Sequence, residues 1–137
     1  MNPPALLRAA VLALTLGLMA ACAEGRACTL IAAVPGVVVE VDPAVAAKVS
    51  AGTLELCWAG HCRTERVELG SGGGAFVQVL DLPETEVTAT VRLNGPSGNV
   101  VDQTLTVAAE PTYPNGPDCG GSAAQGRLLV DADGTVR

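Results

Sequence analysis

The sequence predicts an all-β protein, a single antiparallel β-sandwich of about seven strands, preceded by a helical N-terminal signal peptide. Two positive observations and one absence lead there. Apolar residues alternate with period two along most of the chain, the pattern of strands with one face turned inward, and helical periodicity is nearly missing. Glycine, proline and asparagine clusters cut the alternating runs into short pieces. No βαβ alternation, internal repeat or heptad competes with this reading.

The leader comes first. Arg8 is the only charged side chain of the n-region, and an apolar run holding Val11, Leu12, Leu14, Leu16 and Leu18 follows. That run is shorter than the roughly 20 apolar residues a membrane span needs, and it has the length of a secretory h-region. It ends Leu18-Met19-Ala20-Ala21-Cys22, which reads as a lipobox. Cleavage before Cys22 makes it the lipidated first residue of the mature chain, and its two acyl chains are enough for stable anchoring. Cleavage before Glu24, using Ala21-Cys22-Ala23, gives a secreted protein instead. The organisation expected is therefore a lipoprotein signal peptide over 1–21, a lipidated tether over 22–28 holding the domain off the membrane, and a β-sandwich domain over 29–137. The expected location is the extracytoplasmic face of the cell membrane.

The strands follow in order. Val37, Val39 and Val41 share one face, and Asp42-Pro43 stops the run. Asp42 as N-cap and Pro43 at the first helical position fit one helical turn over 44–48. Leu54, Leu56 and Trp58 face inward on the next strand, and Val67 and Leu69 end the one after it. A glycine-rich loop at 71–74 leads to a strand over 76–82. The clearest strand alternates Val87, Ala89, Val91 and Leu93 inward with Thr88, Thr90 and Arg92 outward. The 94–99 turn cluster sends the chain back through Val101, Leu105 and Val107. Residues 111–121 read as a proline- and glycine-rich loop without regular structure, 127–130 as a last strand, and 131–135 as a turn into a short terminal hairpin.

Composition narrows function. The mature chain from Cys22 has 7 basic against 14 acidic side chains, because Arg8 leaves with the leader. An acidic domain without a basic cluster is a poor fit to nucleic acid or to anionic lipid headgroups. Trp58, Phe76 and Tyr113 are the only aromatics, so the core must be built from valine, leucine and alanine. Small cores gain from cross-links. Of the five cysteines, Cys22 is lipidated or removed, leaving Cys28, Cys57, Cys62 and Cys119 for two disulfides in an oxidising compartment. Cys57 and Cys62 flank a four-residue loop between adjacent strands and are expected to pair across the hairpin. Cys28 and Cys119 then pair by elimination. The alternatives at Cys57, His61 and Cys62 are a redox dithiol or a metal site. The first lacks C-x-x-C spacing and the second lacks ligands, since His61 is the only histidine.

No nucleophile–base set, phosphate-binding loop or carboxylate pair appears, so no catalytic residue and no cofactor are expected. Asp131-x-Asp133-Gly134 reads as an Asp-Gly turn and not as a calcium loop, whose remaining ligands would fall at or past the chain end. Trp58 reads as a packing residue, with an exposed binding role as the alternative. Tyr113, Asn115 and Asp118 are the groups the 111–121 loop offers a ligand.

The Cys57-Trp58-x-Gly60-x-Cys62-Arg63 motif, the run from Tyr113 through Cys119 to Gly121, and the closing Val130-Asp131-Ala132-Asp133-Gly134 together resemble small uncharacterised lipoproteins of high-GC actinobacteria. The predicted sandwich is similar to immunoglobulin-like or transthyretin-like domains. The resemblance implies a surface lipoprotein with two disulfides and brings no activity with it. The expectation for function is a membrane-tethered, non-catalytic module that engages an envelope protein or glycan. The alternatives are a passive envelope component, or a secreted redox or metal-binding protein using Cys57, His61 and Cys62.

Overall fold

The computed structural model describes residues 27–137. The leader, Cys22 and most of the 22–28 tether lie outside the described residues. The rest is a two-sheet sandwich of eight strands with one short helix. β1 (Gly36–Val41), β4 (Gly74–Gln78), β7 (Glu110–Thr112) and β8 (Ala123–Val130) form the first sheet, in the order β4-β1-β8-β7. β2 (Ala51–Trp58), β3 (His61–Val67), β5 (Glu86–Gly95) and β6 (Gly98–Ala108) form the second, in the order β3-β2-β5-β6.

The alternation dictates which faces meet. Val37, Val39, Leu54, Ala89, Val91, Leu93 and Leu128 are fully buried between the sheets, with Val87 and Leu56 nearly so. No aromatic ring lies in this fully buried set. Trp58, Leu69 and Leu105 pack at its margin. Leu69 follows the end of β3, and β4 ends before the predicted 82, so that Val79 and Leu82 reach the core from a turn. Helix α1 (Pro43–Ala46) starts where Asp42-Pro43 places it: the Asp42 carboxylate accepts from the Ala44 N–H at 2.8 Å.

Three further features depart from the sequence reading. The sheets are antiparallel except at one place, where β1 and β8 run parallel from Gly36↔Gln125 to Val41↔Val130. Residues 111–121 are not without regular structure: Pro111 sits in edge strand β7, and Pro117–Cys119 makes a 3-10 turn. An edge strand tolerates a proline because one side of it needs no N–H donor. Thr90 faces outward as expected, yet it is 8% exposed. It lies on a central strand between Glu55 and Thr104, and its hydroxyl bonds that of Thr104 at 2.9 Å. The terminal hairpin forms, with reciprocal backbone hydrogen bonds between Leu129 and Arg137.

Two glycines are fixed by close approach. A Cβ on Gly36 would collide with the Val77 carbonyl oxygen and stand 2.7 Å from the Phe76 ring. Gly73 has φ +78°, and a Cβ there would meet the Val41 carbonyl oxygen, while its own carbonyl accepts from Val41 N–H.

Both disulfides form as expected. Cys57 and Cys62 are direct cross-strand partners with Cα atoms 4.1 Å apart. Cys28 and Cys119 close a loop of sequence separation 91. Loop-closure entropy makes the second the larger contributor, about 4–5 kcal/mol against about 2 for the short hairpin loop. Replacing Cys28 and Cys119 together by serine is therefore expected to lower the unfolding free energy by roughly twice as much as replacing Cys57 and Cys62. Chemical denaturation of the two double variants checks this.

Candidate functional site

The parallel pairing of β1 and β8 gives the sandwich two distinct ends. At one end lie the start of β1, the end of β4 and the start of β8, and the chain from residue 27 enters there. At this same end the Arg63–Asp81 ion pair joins the start of β3 to the segment after β4. The Thr85 carbonyl accepts from the Ala109 N–H, linking the start of β5 to the end of β6. The opposite end carries α1, the 70–73 loop and the 94–99 turn.

Apart from Cys22, which lies outside the described residues, the expected site residues fall at the chain-entering end. The structure brings Asn115 against the N-terminal segment. Its Oδ1 accepts from the Thr29 hydroxyl at 2.6 Å and from the Ile31 N–H at 3.0 Å, and its Nδ2 donates to the Ile31 carbonyl at 2.8 Å. The Asn115 amide is thus occupied in copying a strand partner for residue 31, and it serves as a clamp. The Cys28–Cys119 disulfide fastens the same two segments. Tyr113 stays exposed, and Asp118 lies in the first turn of the 3-10 segment, also exposed. Trp58 is half-buried against the core, and its indole meets the His61 ring edge-on with centroids 4.5 Å apart. No group of three or more histidine, cysteine, aspartate or glutamate side chains is arranged to hold a metal among the described residues.

Arg63 donates to Asp81 Oδ2 from Nη2 at 2.8 Å and from Nε at 3.2 Å, and these bonds hold the Asp81 carboxyl below the ordinary aspartate range. In the terminal hairpin, Arg137 does the same to Asp131, while the Thr135 N–H lowers Asp133 by bonding its Oδ1 at 2.9 Å. Both carboxylates of the Asp131-x-Asp133-Gly134 turn therefore have a partner within the terminal hairpin.

The opposite end holds a feature the sequence reading did not single out. A cleft of about 570 Å³ opens between the start of β2 and the end of β3, lined by Ser50, Thr53, Arg66, Val67, Glu68 and Leu69 among others. Arg66 and Glu68 make no ion pair among the described residues. A second hollow of about 340 Å³ shares Val49 and Leu69 with it and runs under the 70–73 loop. The glycines of that loop were the available sequence signal, since they let the backbone stay low beside α1. Chemically, the cleft offers a shallow apolar floor with Arg66, Glu68 and hydroxyl groups at its rim. That suits the reversible binding of a polar chain more than the enclosure of a small molecule.

No protein-family model matches the chain, no curated protein is significantly similar to it, and no solved structure is significantly similar to its fold.

Two expectations follow from the chain-entering end. Asn115→Ala leaves three clamp bonds unmade, and is expected to speed amide exchange at residues 29–31 and 113–116 while lowering overall stability by about 1 kcal/mol. Exchange mapped by mass spectrometry checks it. For Asp81, a lowered pKa in the folded state means that its stabilising contribution is complete above about pH 4 and disappears as pH falls through the lowered value. The melting-temperature gap between wild type and Asp81→Asn is expected to be constant at neutral pH and to close in acid.

Proposed function

We propose that this protein is a lipid-anchored, non-catalytic binding module of the cell envelope, tethered through Cys22 and presenting its far end to a partner. The observation that carries the reading is the position of a cleft of about 570 Å³ at the end of the sandwich opposite the one the chain enters. A tether fixed at one end leaves the other end free to reach outward. The cleft is placed there and holds Arg66 and Glu68, neither in an ion pair among the described residues, beside Leu69. The leader ending in Ala20-Ala21-Cys22 supports the anchor, and two disulfides are compatible with an oxidising compartment. No helix among the described residues is long and apolar enough to cross a membrane, so attachment in this reading rests on the lipid.

The contact a partner would make is small and polar. An exposed salt-bridge pair contributes at most about 1 kcal/mol. Affinity in a wet, shallow cleft of this kind comes from excluding water over Leu69 and Val49, with Arg66 and Glu68 setting orientation. Such binding is weak for a free domain. It becomes effective when the domain is held at the same surface as its partner.

The sequence supplies its own reporter. Lys48 is the only lysine and lies beside the cleft, exposed. Intact mass of the membrane-fraction protein is expected to show a mature chain starting at a diacylglyceryl-modified Cys22. A membrane-impermeant amine reagent is expected to label Lys48 in intact cells more slowly than in purified protein, because a partner covers it. The Arg66→Glu, Glu68→Arg double variant, with both positions exposed, is expected to label at the purified rate in both settings. A chain starting at Glu24 without lipid refutes the anchor. Equal labelling of the wild type in cells and in isolation refutes the partner and leaves a passive envelope component.

A further inference from the structure

We infer that the chain-entering end of the sandwich is a lipid-docking face that lies against the bilayer and holds the domain upright; this rests on the anchored reading above. Among the described residues the exposed large hydrophobic side chains are Leu30, Ile31, Phe76, Leu80 and Tyr113. Leu30, Ile31, Leu80 and Tyr113 belong to one end, and Phe76, paired with Val38 midway along β4, leans its ring toward that end. Leu30 and Ile31 lie in the entering segment, which Asn115 holds beside Tyr113. Leu80 follows β4 at the turn hydrogen-bonded back to Pro35, just before β1. Phe76 sits on the outer face of β4, with its ring tip over Gly36, the first residue of β1. Leu30 is completely exposed and Leu80 is 77% exposed. Among the described residues the opposite end has no exposed large hydrophobic side chain, and its 94–99 turn is Asn-Gly-Pro-Ser-Gly-Asn.

Scattered surface leucines need no explanation, but large apolar groups confined to one end of a small acidic domain do. The bilayer is the occupant that the rest of the chain provides. Cys22 precedes Cys28 by six residues, so the tether spans at most about 20 Å fully extended. Cys28 is itself cross-linked to Cys119 on the domain, which leaves no further slack. A lipid in the membrane therefore keeps this end within reach of the headgroup region, where apolar side chains settle about 5–10 Å deep. The tether holds the domain close to the membrane, not off it.

Charge agrees with this choice. The mature chain is acidic, so anionic headgroups repel it, and the contact must be apolar and insensitive to salt. The Asp81 carboxylate beside Leu80 is paired with Arg63 at 2.8 Å. An unanchored domain would gain little from so few side chains. An anchored one meets the bilayer at high effective concentration, and a weak preference becomes the dominant orientation.

The test uses the mature lipidated protein, reconstituted in neutral phosphatidylcholine vesicles, with a photoreactive diazirine amino acid at position 30, 80, 113 or 97. Positions 30, 80 and 113 are expected to form adducts with phospholipid, at yields unchanged by salt, and position 97 is expected to form none. With the probe at 113, adding Leu30→Asp and Leu80→Asp is expected to cut the lipid adduct about tenfold while vesicle co-sedimentation stays complete. Both replaced residues are exposed, so folding is retained. Adducts joining two copies of the chain would make this end a self-association surface and overturn the proposal. So would lipid adducts at position 97 equal to those at 30. Intact mass separates the two readings: no lipid at Cys22 overturns anchor and docking together, whereas lipid at Cys22 without adducts at 30 and 80 overturns docking alone.

Discussion

The parallel pairing of β1 with β8 is the constraint on which the rest of the molecule depends. It joins the first and last strands of the sandwich, Gly36 to Gln125 through Val41 to Val130, side by side in the middle of the first sheet. Parallel strands start at the same end. Cysteines upstream of each strand, Cys28 and Cys119, therefore meet at that end, and the largest loop in the protein is closed there. An antiparallel pairing of the same strands would set those cysteines at opposite ends of the sheet. The pairing also gives the molecule polarity: the chain enters at the disulfide-bonded end, and the cleft between β2 and β3 opens at the other. Loop closure over so long a separation costs entropy before any contact repays it. A disulfide that brings both strand starts together removes much of that cost from the unfolded chain.

The core explains why such staples matter. Its fully buried side chains are valine, leucine and alanine, with no ring among them. Valine and alanine bury less apolar area per residue than aromatic side chains, so each contributes less to folding. The compensation is regularity. β-branched side chains have few rotamers to lose and fit a pleated surface, so the inward rows of β1, β2 and β5 interdigitate at little side-chain entropy cost. Gly126 shows how tight the result is, because a Cβ there would stand 2.9 Å from the Val107 side chain.

Much of this was legible in the sequence. Period-two alternation located the inward faces of β1, β2, β5 and β6 residue by residue, since a one-residue slip would have turned Val37 or Leu54 to water. Asp42-Pro43 marked α1, and the hairpin spacing of Cys57 and Cys62 marked their bond. What was not legible depended on partners distant in sequence. Parallel pairing leaves no local trace when both strands are short and the connection is the whole domain. β7 was hidden by Pro111, which is forbidden in a central strand and harmless at an edge. Asn115 looked like a free loop amide, and its role as a clamp depends on Thr29 and Ile31, more than eighty positions away. The cleft was illegible for a different reason: it is a space between strand ends, and the lining residues Ser50, Arg66 and Glu68 carry no motif.

A β-sandwich faces one more demand, which is to avoid pairing with its neighbours through open sheet edges. The two edges of the second sheet meet it differently. β3 exposes His61 through Arg66, so any strand docking there must desolvate Arg63, Glu65 and Arg66. β6 is long and more neutral, and part of it is occupied. Gln103 donates from Nε2 to the Gly134 carbonyl and accepts at Oε1 from the Val136 N–H, which fastens the C-terminal hairpin to that strand. The Arg137–Asp131 ion pair and the Leu129–Arg137 backbone bonds hold the hairpin in place. In the first sheet, β7 is only three residues long and carries Pro111, so it offers few donors to a neighbour. β4 is five residues long and begins at a glycine loop. Short, prolyl, charged and covered edges are four separate solutions to one hazard, and together they leave the ends of the sandwich, not its edges, as the surfaces open to contact.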